Sequence, residues 1–369
     1  MRKVGIAASG LTEFSKNDSS VESLMLSAIK PIFHETKNLS QNDVDVVLTS
    51  TNANNKYLAN IISELSGISP RTAHTVESLC NSGTNGIVSA YSYIASGLAD
   101  VALVVGAEKN DSPGLVLEWD KSRGAYTHPI YWASMFASAH MRRYGTTLED
   151  VAYVGAKNHR NAVDNPYAYF KKMFSIDDIM KSKYLTETLR LLDCSMPCNG
   201  AAAILLASDE IIKKFTDAPV WISGIGQKSI SAGFTKNEDL TSMKSTVQSS
   251  IDAYHMSGKK ANNVDVAELH DAFSICEIIE LEDLGFAQKG MGTSYVKNLY
   301  DNNDKKINPR GGLVGSGHPL GATGIAQTIE IFQQLQGKAK KRQVDRAKTG
   351  LVHNMSAAAT SSTVLILES

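Results

Sequence analysis

The sequence predicts an α/β protein made of two like halves, with a mostly helical insertion in the first. Three observations predict it. From residue 3 to residue 108, apolar runs of strand length alternate with amphipathic stretches of helix length. The alternation breaks across 109–197 and resumes at Ala201. From Pro219 the chain then starts again: Asn263-Val264-Asp265-Val266-Ala267 echoes Asn42-Asp43-Val44-Asp45-Val46, and Asp265 follows Asp45 by 220 positions. The expected units are 1–108 with 198–218 as the first half, 109–197 as the insertion and 219–369 as the second half.

Taken in order, Lys3 to Ser9 reads as a strand. Ser20 to Glu35 reads as a helix, with Ser20 a suitable N-cap and Leu24, Ser27, Ala28 and Ile32 on one face. Asp43 to Thr49 is a short strand, Tyr57 to Gly67 a helix, and Thr72 to Ser78 a strand leading to Cys80. Behind Cys80, residues Ile87, Ala90, Tyr91 and Ile94 fall at helical spacing. Ala99 to Glu108 is almost continuously apolar, as in a strand buried on both faces. The insertion is rich in aromatic residues, Trp119, Trp132, Tyr169 and Phe170 among them, with helices at Trp132–Tyr144, Leu148–Ala162 and Ile176–Lys181. It reads as a substrate wall or as a plain cover over the sheet. The second half supplies strands at Pro219–Gly226, Val264–Ala267 and Gly350–Leu367, and helices at Ser274–Leu284 and Ile325–Leu335.

Composition excludes several functions. A formal net charge of −1 leaves no basic excess to neutralise phosphates, so no nucleic acid is expected as a partner. The basic run Lys338 to Arg342 reads as a solvated loop. No apolar run is long enough to span a bilayer, and the N-terminus lacks the shape of a secretory signal. Four cysteines in 369 residues make no disulfide framework, so a reducing, cytoplasmic location is expected. Cys194 and Cys198 have no second pair nearby to complete a zinc set, and no metal is expected.

The chemistry gathers at turns. Cys80 sits in Ser78-Leu79-Cys80-Asn81-Ser82-Gly83, at or just before a helix N-terminus, where the partial positive charge favours thiolate. By itself this thiol reads equally as a nucleophile or as a packed core cysteine. His270-Asp271-Ala272-Phe273 follows a strand and opens a helix, where α/β folds place site residues. Gly311 to Gly324 holds six glycines in fourteen residues around His318-Pro319, with Pro319 at helix position N1. A phosphate cradle is a second reading of that stretch, without the flanking pattern of the known cradles. His353-Asn354-Met355-Ser356 follows a strand near the C-terminus.

Together the Cys80 turn, His270-Asp271-Ala272-Phe273 and Gly317-His318-Pro319-Leu320-Gly321-Ala322-Thr323-Gly324 resemble the thiolase family, in particular the archaeal and sterol-carrier-protein-type thiolases. The stretches Ala139–Thr147 and Lys157–Ala162 resemble the same subgroup, so the likeness spans the chain. It implies the thiolase fold: two βαβαβαββ halves in an α/β/α/β/α layering with an inserted loop domain. It implies an acetyl-CoA C-acetyltransferase, joining two acetyl-CoA through an acyl-Cys80 intermediate or running the thiolytic reverse. A longer-chain 3-ketoacyl-CoA thiolase and a weakly active scaffold subunit are the alternatives. Cys80 is then the nucleophile, His318 its base and His270 part of an oxyanion site, with a second oxyanion site from backbone N–H groups near Cys80 and Ala358. Coenzyme A thioesters are the substrates, and no covalently bound cofactor is implied. The implied partners are a second copy or a tetramer, a zinc-ribbon/OB-fold acyl-CoA-binding protein and a hydroxymethylglutaryl-CoA synthase.

The chain departs from the pattern at the second catalytic cysteine. Ser356 stands in the C-terminal slot where most relatives keep that thiol, and Ala272 stands where sterol-carrier-type relatives keep it. A serine hydroxyl is a poor base at neutral pH, so His270 or His353 is the expected substitute, with Ser356 retained as a candidate.

Overall fold

The computed structural model describes residues 2–109 and 126–369. Part of the expected insertion, with Trp119, lies outside them. In the first half, strand β1 (Val4–Leu11) is followed by helix α1 (Val21–Glu35), β2 (Val46–Ser50), α2 (Leu58–Leu65), β3 (Thr72–Val76), α3 (Ser82–Ala95) and β4 (Val101–Glu108). Helices α4 (Pro129–Tyr144), α5 (Leu148–Ala162) and α6 (Ile176–Lys181) precede β5 (Gly200–Ser208). The second half runs β6 (Val220–Ser229), α7 (Lys244–Ser257), β7 (Val266–Glu268), α8 (Ser274–Asp283), α9 (Gly292–Asp301), the short α10 (Gly312–Ser316), α11 (Leu320–Leu335), β8 (Thr349–Ser356) and β9 (Ser361–Glu368).

Local chemistry accounts for the element ends. Ser20 caps α1 by accepting from Ser23 N–H at 3.1 Å. Thr147 and Asp150 form a reciprocal capping box at the start of α5. Gly145, at φ 75°, ends α4 in the left-handed conformation that glycine adopts without penalty. Helices α7 and α9 are absent from the sequence reading. Helix α7 has weak apolar periodicity, because serine and threonine occupy much of its buried face.

The strand order is β3-β2-β4-β5-β1-β6-β9-β8-β7. Within the first half, β2 runs parallel to β3 and β4, while β5 runs antiparallel to β4 and β1. Within the second, β7 runs parallel to β8, and β9 runs antiparallel to β8 and β6. Within the sheet, the described residues join the halves through β1 and β6 at Gly5↔Trp221 and Ile6↔Val220. The counterpart of β3 shrinks to a single parallel bridge, Ala267↔Ile307. The two matching aspartates do the same work. Asp45 Oδ2 accepts from Asp100 N–H at 2.8 Å and Val101 N–H at 3.1 Å. Asp265 Oδ2 accepts from Lys348 N–H at 2.8 Å and Thr349 N–H at 3.0 Å. Each carboxylate ties its strand to the start of the neighbouring one.

Helices α1 and α2 pack on the outer face of the first half, and α7 and α8 on that of the second. Helices α3 and α11 lie between the halves, where Ile87, Ala90 and Ile94 meet Ala322, Ile325 and Ile329 among strand side chains of both. The result is five layers. The glycines around His318 serve this packing. A Cβ on Gly324 would sit 2.7 Å from Thr84 N, and one on Gly321 would sit 2.5 Å from Ser50 O. The phosphate-cradle reading is therefore set aside: protein backbone occupies the space in front of these glycines. Two smaller expectations are also corrected. Pro319 is the N-cap of α11 rather than its first residue. Arg342 is no solvated loop residue, since it is buried against Glu330 with Nη2 2.9 Å from a carboxylate oxygen.

Candidate active site

Cys80 lies in a 3-10 turn, Leu79–Asn81, between β3 and α3. The turn is held from several sides. Ser82 Oγ donates to Leu79 O at 2.6 Å and accepts from Ser78 N–H at 2.8 Å. Glu77 accepts from Leu79 N–H at 2.7 Å. Asn52 Nδ2 donates to Leu79 O at 3.3 Å and to Glu108 at 3.0 Å, and Glu108 also accepts from Gly321 N–H at 3.1 Å. Glu108 thus ties the end of β4 to the start of α11 and, through Asn52, to the cysteine turn. Leu79 is held at φ 49°, a left-handed conformation beside Cys80 that costs energy for a residue with a Cβ.

His318 reaches Cys80 from the other half, with Nε2 3.3 Å from Sγ. Its position is fixed by its own N–H, which donates to Met196 O at 2.9 Å. Thr323 sets its tautomer. The Thr323 hydroxyl donates to Pro319 O at 2.9 Å, so it accepts from His318 Nδ1, 2.7 Å away. Nε2 then carries the lone pair and accepts from the Cys80 thiol. Burial, with Arg310 nearby, holds the His318 pKa down at about 3. Burial, with the Glu108 and Glu77 carboxylates, pushes the Cys80 thiol up to about 12. The resting pair is neutral. The helix-end field expected to favour thiolate is outweighed by loss of solvation.

The His270 ring stands 5.1 Å from that of His318, edge to face at 84°. Its pKa lies well below the ordinary histidine value, through burial and then the other two histidines, His318 and His353. Asp271 points away from Cys80. It accepts from Leu313 N–H at 2.6 Å and Asn158 Nδ2 at 2.7 Å, tying α10 and α5 to the turn. Cys80, His270 and His318 line one cavity of about 220 Å³, walled by Leu79, Ile130, Trp132, Phe273 and Met355 and edged by His128, Ser195 and Ser356.

The structure therefore brings together Cys80, His270, His318, Ser356 and Ala358 around this cavity. It does not bring His353 there, which corrects that expectation. The His353 ring is fully buried behind the site, with Nε2 3.0 Å from Thr246 Oγ1 and Nδ1 3.5 Å from Glu280. Ala357, Ala358 and Ala359 all have left-handed φ, at 47°, 62° and 58°. This turn carries the chain out of the β8–β9 ladder, whose last pair is Ser356↔Ser361. The sequence reading missed Thr323, Glu108 and Trp132. Thr323 alone had a local signal, five residues past His318 in the same motif.

Comparison with known proteins gives the family. Residues 4–210 match the model for the thiolase N-terminal domain, and residues 226–369 match the thiolase C-terminal domain-like model. The chain belongs to the thiolase family. This thiolase is 37% identical to the acetyl-CoA acetyltransferase of Methanothermobacter thermautotrophicus over 81% of either chain. It is 34% identical to the enzyme of the same name from Methanocaldococcus jannaschii, over 99% of this chain and 98% of that one. Among solved structures it superposes on the Ltp2-ChsH2(DUF35) aldolase with a TM-score of 0.85 at 25% identity, covering 100% of this chain and 98% of that chain.

Proposed function

We propose that this thiolase is an acetyl-CoA C-acetyltransferase that works through an acetyl-Cys80 intermediate. The observation that carries the reading is the Cys80–His318 contact at 3.3 Å, with the histidine tautomer set by Thr323. In the first step Sγ attacks the thioester carbonyl while its proton passes to Nε2. The coenzyme A thiolate leaves with that proton, so two neutral partners start the step and two neutral partners end it. An acyl-cysteine divides one difficult reaction into two easier ones. In the second step an α-proton leaves a second acetyl-CoA and the enolate attacks acetyl-Cys80. Acetoacetyl-CoA departs, and Cys80 regains a proton.

The second step needs a base and donors for two thioester oxygens. His270 is our candidate for the base. It is neutral, lines the cavity and stands beside His318, whereas His353 is walled off behind the site. The N–H groups of Cys80 and Ala358 are our candidates for the oxyanion site of the acyl-cysteine. In support, both residues line the cavity, and the left-handed alanine turn leaves its N–H groups outside the strand ladder. The wider reading places the protein in a reducing cytoplasm as a dimer or tetramer beside an acyl-CoA-binding partner. Its support is four free cysteines and a solved relative named for two components, one of them a DUF35 protein. Among the described residues, no helix is long and apolar enough to cross a membrane.

The test is intact-mass measurement after incubation with acetyl-CoA. One acetyl adduct is expected, located on Cys80 and absent in Cys80→Ser. A reduced protein that takes up no acetyl group overturns the reading. For the second step, Ser356→Ala should condense at close to the normal rate, while His270→Ala should lose about 100-fold or more. The opposite pattern moves the base to Ser356.

A further inference from the structure

Cys80, His270 and His318 form a donor set as well as a reaction centre. One donor atom from each lies within 4.8 Å of the other two. A tetrahedral zinc ion, with bonds of about 2.3 Å to sulfur and about 2.0 Å to nitrogen, holds its donors roughly 3.3–3.7 Å apart. The Cys80 Sγ to His318 Nε2 separation is already 3.3 Å. The third donor closes to ligating distance by a movement of about 1 Å, within the reach of a small side-chain rotation.

The surroundings favour a metal. Thr323 anchors His318 through Nδ1, which presents the Nε2 lone pair, as the partners behind metal-binding histidines do. His270 is 2% exposed, and its Nδ1 is buried with no hydrogen-bond partner among the described residues. The carboxylates of Glu108 and Glu77 act electrostatically on the cysteine, so an added positive charge there is partly compensated. The cavity in front leaves a fourth position for water, the arrangement of open three-ligand zinc sites.

We propose that Cys80, His270 and His318 bind a zinc(II) ion, and that the bound ion reversibly blocks acylation. Binding forms a zinc–sulfur bond, releases the thiol proton to solvent and involves no change of oxidation state. The donor geometry stands by itself; the block on acylation rests on the acetyltransferase reading.

The test uses the full chain, reduced and metal-free, with cobalt(II) as a spectroscopic stand-in and zinc(II) as competitor. One cobalt per chain is expected, with a thiolate charge-transfer band in the near ultraviolet and visible bands of tetrahedral strength, all displaced by zinc. His270→Ala should weaken binding at least tenfold, and Cys80→Ala should lose the charge-transfer band. If Cys80→Ala does not fold, wild type alkylated at Cys80 replaces it. Zinc should slow alkylation of Cys80 at least tenfold and suppress the acetyl adduct, and a chelator should restore both. The proposal is overturned by absence of the band in wild type, by its survival when Cys80 is removed or alkylated, by unchanged affinity in His270→Ala, or by normal acetylation at saturating zinc. Protein that binds the metal but never takes an acetyl group overturns the acetyltransferase reading instead.

Discussion

At the scale of single residues, Cys80 and His318 are each poor at their task when taken separately. A thiol whose pKa is near 12 is not a nucleophile, and an imidazole whose pKa is near 3 is a weak base. In the proposed first step their contact changes this, because the proton moves between them only as the carbon–sulfur bond forms. His318→Ala should therefore slow acetylation of Cys80 by about 100- to 10,000-fold. Thr323→Val keeps the shape but removes the acceptor for Nδ1–H, and should slow the same step by about 10- to 100-fold with folding intact. Rapid-quench mass spectrometry checks both. A Thr323→Val protein that acetylates at the normal rate shows that the tautomer is set elsewhere. Cys80, His270 and His318 were legible in the sequence because each sits in a turn whose residue types are constrained locally. Thr323 lay in plain view without a role, because a hydroxyl shows its partner only in three dimensions. His353 shows the converse. Its neighbours in sequence resemble a site, but its ring is turned into the core toward Glu280 and Thr246.

At the scale of elements, the alanine turn between β8 and β9 is the most strained feature near the cavity. Each left-handed alanine costs about 1–2 kcal/mol, and Ala357, Ala358 and Ala359 are consecutive. Glycine removes that penalty and adds about 0.5–1 kcal/mol of unfolded-state entropy, so Ala358→Gly should stabilise the protein by about 0.5–1 kcal/mol in denaturant melts. A destabilised variant shows that the turn is held by packing of the Ala358 methyl. A second device is Asp193, in the 3-10 turn before β5, which accepts from Arg190 N–H at 3.0 Å. Burial raises its pKa from the ordinary 3.8 to about 6. The folded state holds the proton more tightly, so this contribution to stability is complete below pH 3.8 and is lost as pH rises through about 6. Between about pH 7 and about pH 5, wild type should gain roughly 1 kcal/mol relative to Asp193→Asn. Equal pH profiles for the two proteins refute this. Most element positions were readable from periodicity and capping. Helix α7 was not, because a polar buried face breaks the apolar pattern by which helices are recognised.

At the scale of the whole molecule, two half-sites come together because α3 and α11 cross at glycines. Gly324 meets Thr84 N and Gly83 meets Ile325 N, so the two backbones approach closely. Gly324→Ala puts a Cβ 2.7 Å from a main-chain nitrogen that cannot rotate away. It should cost about 1–3 kcal/mol and, by moving His318 from Cys80, lower acetylation more than melting alone accounts for. Thermal melts together with adduct formation test this, and unchanged acetylation in a destabilised variant separates the crossing from the site. The repeat was visible as a short echo around two aspartates, Asp45 and Asp265, 220 positions apart. Its meaning is structural: Asp45 and Asp265 each pin the start of a neighbouring strand in the same way.

The linear chain carried the Cys80 turn, the two histidine turns, the alternation of strand and helix and the duplication, because each is written in short stretches of sequence. Tertiary structure alone decided that the thiol rests protonated, which nitrogen of His318 is free, that His270 and not His353 faces the cavity, and that the glycines pack rather than bind. These are matters of burial, hydrogen-bond direction and close approach between the halves. They depend on residues such as Cys80 and His318, 238 positions apart, which meet only when the fold closes.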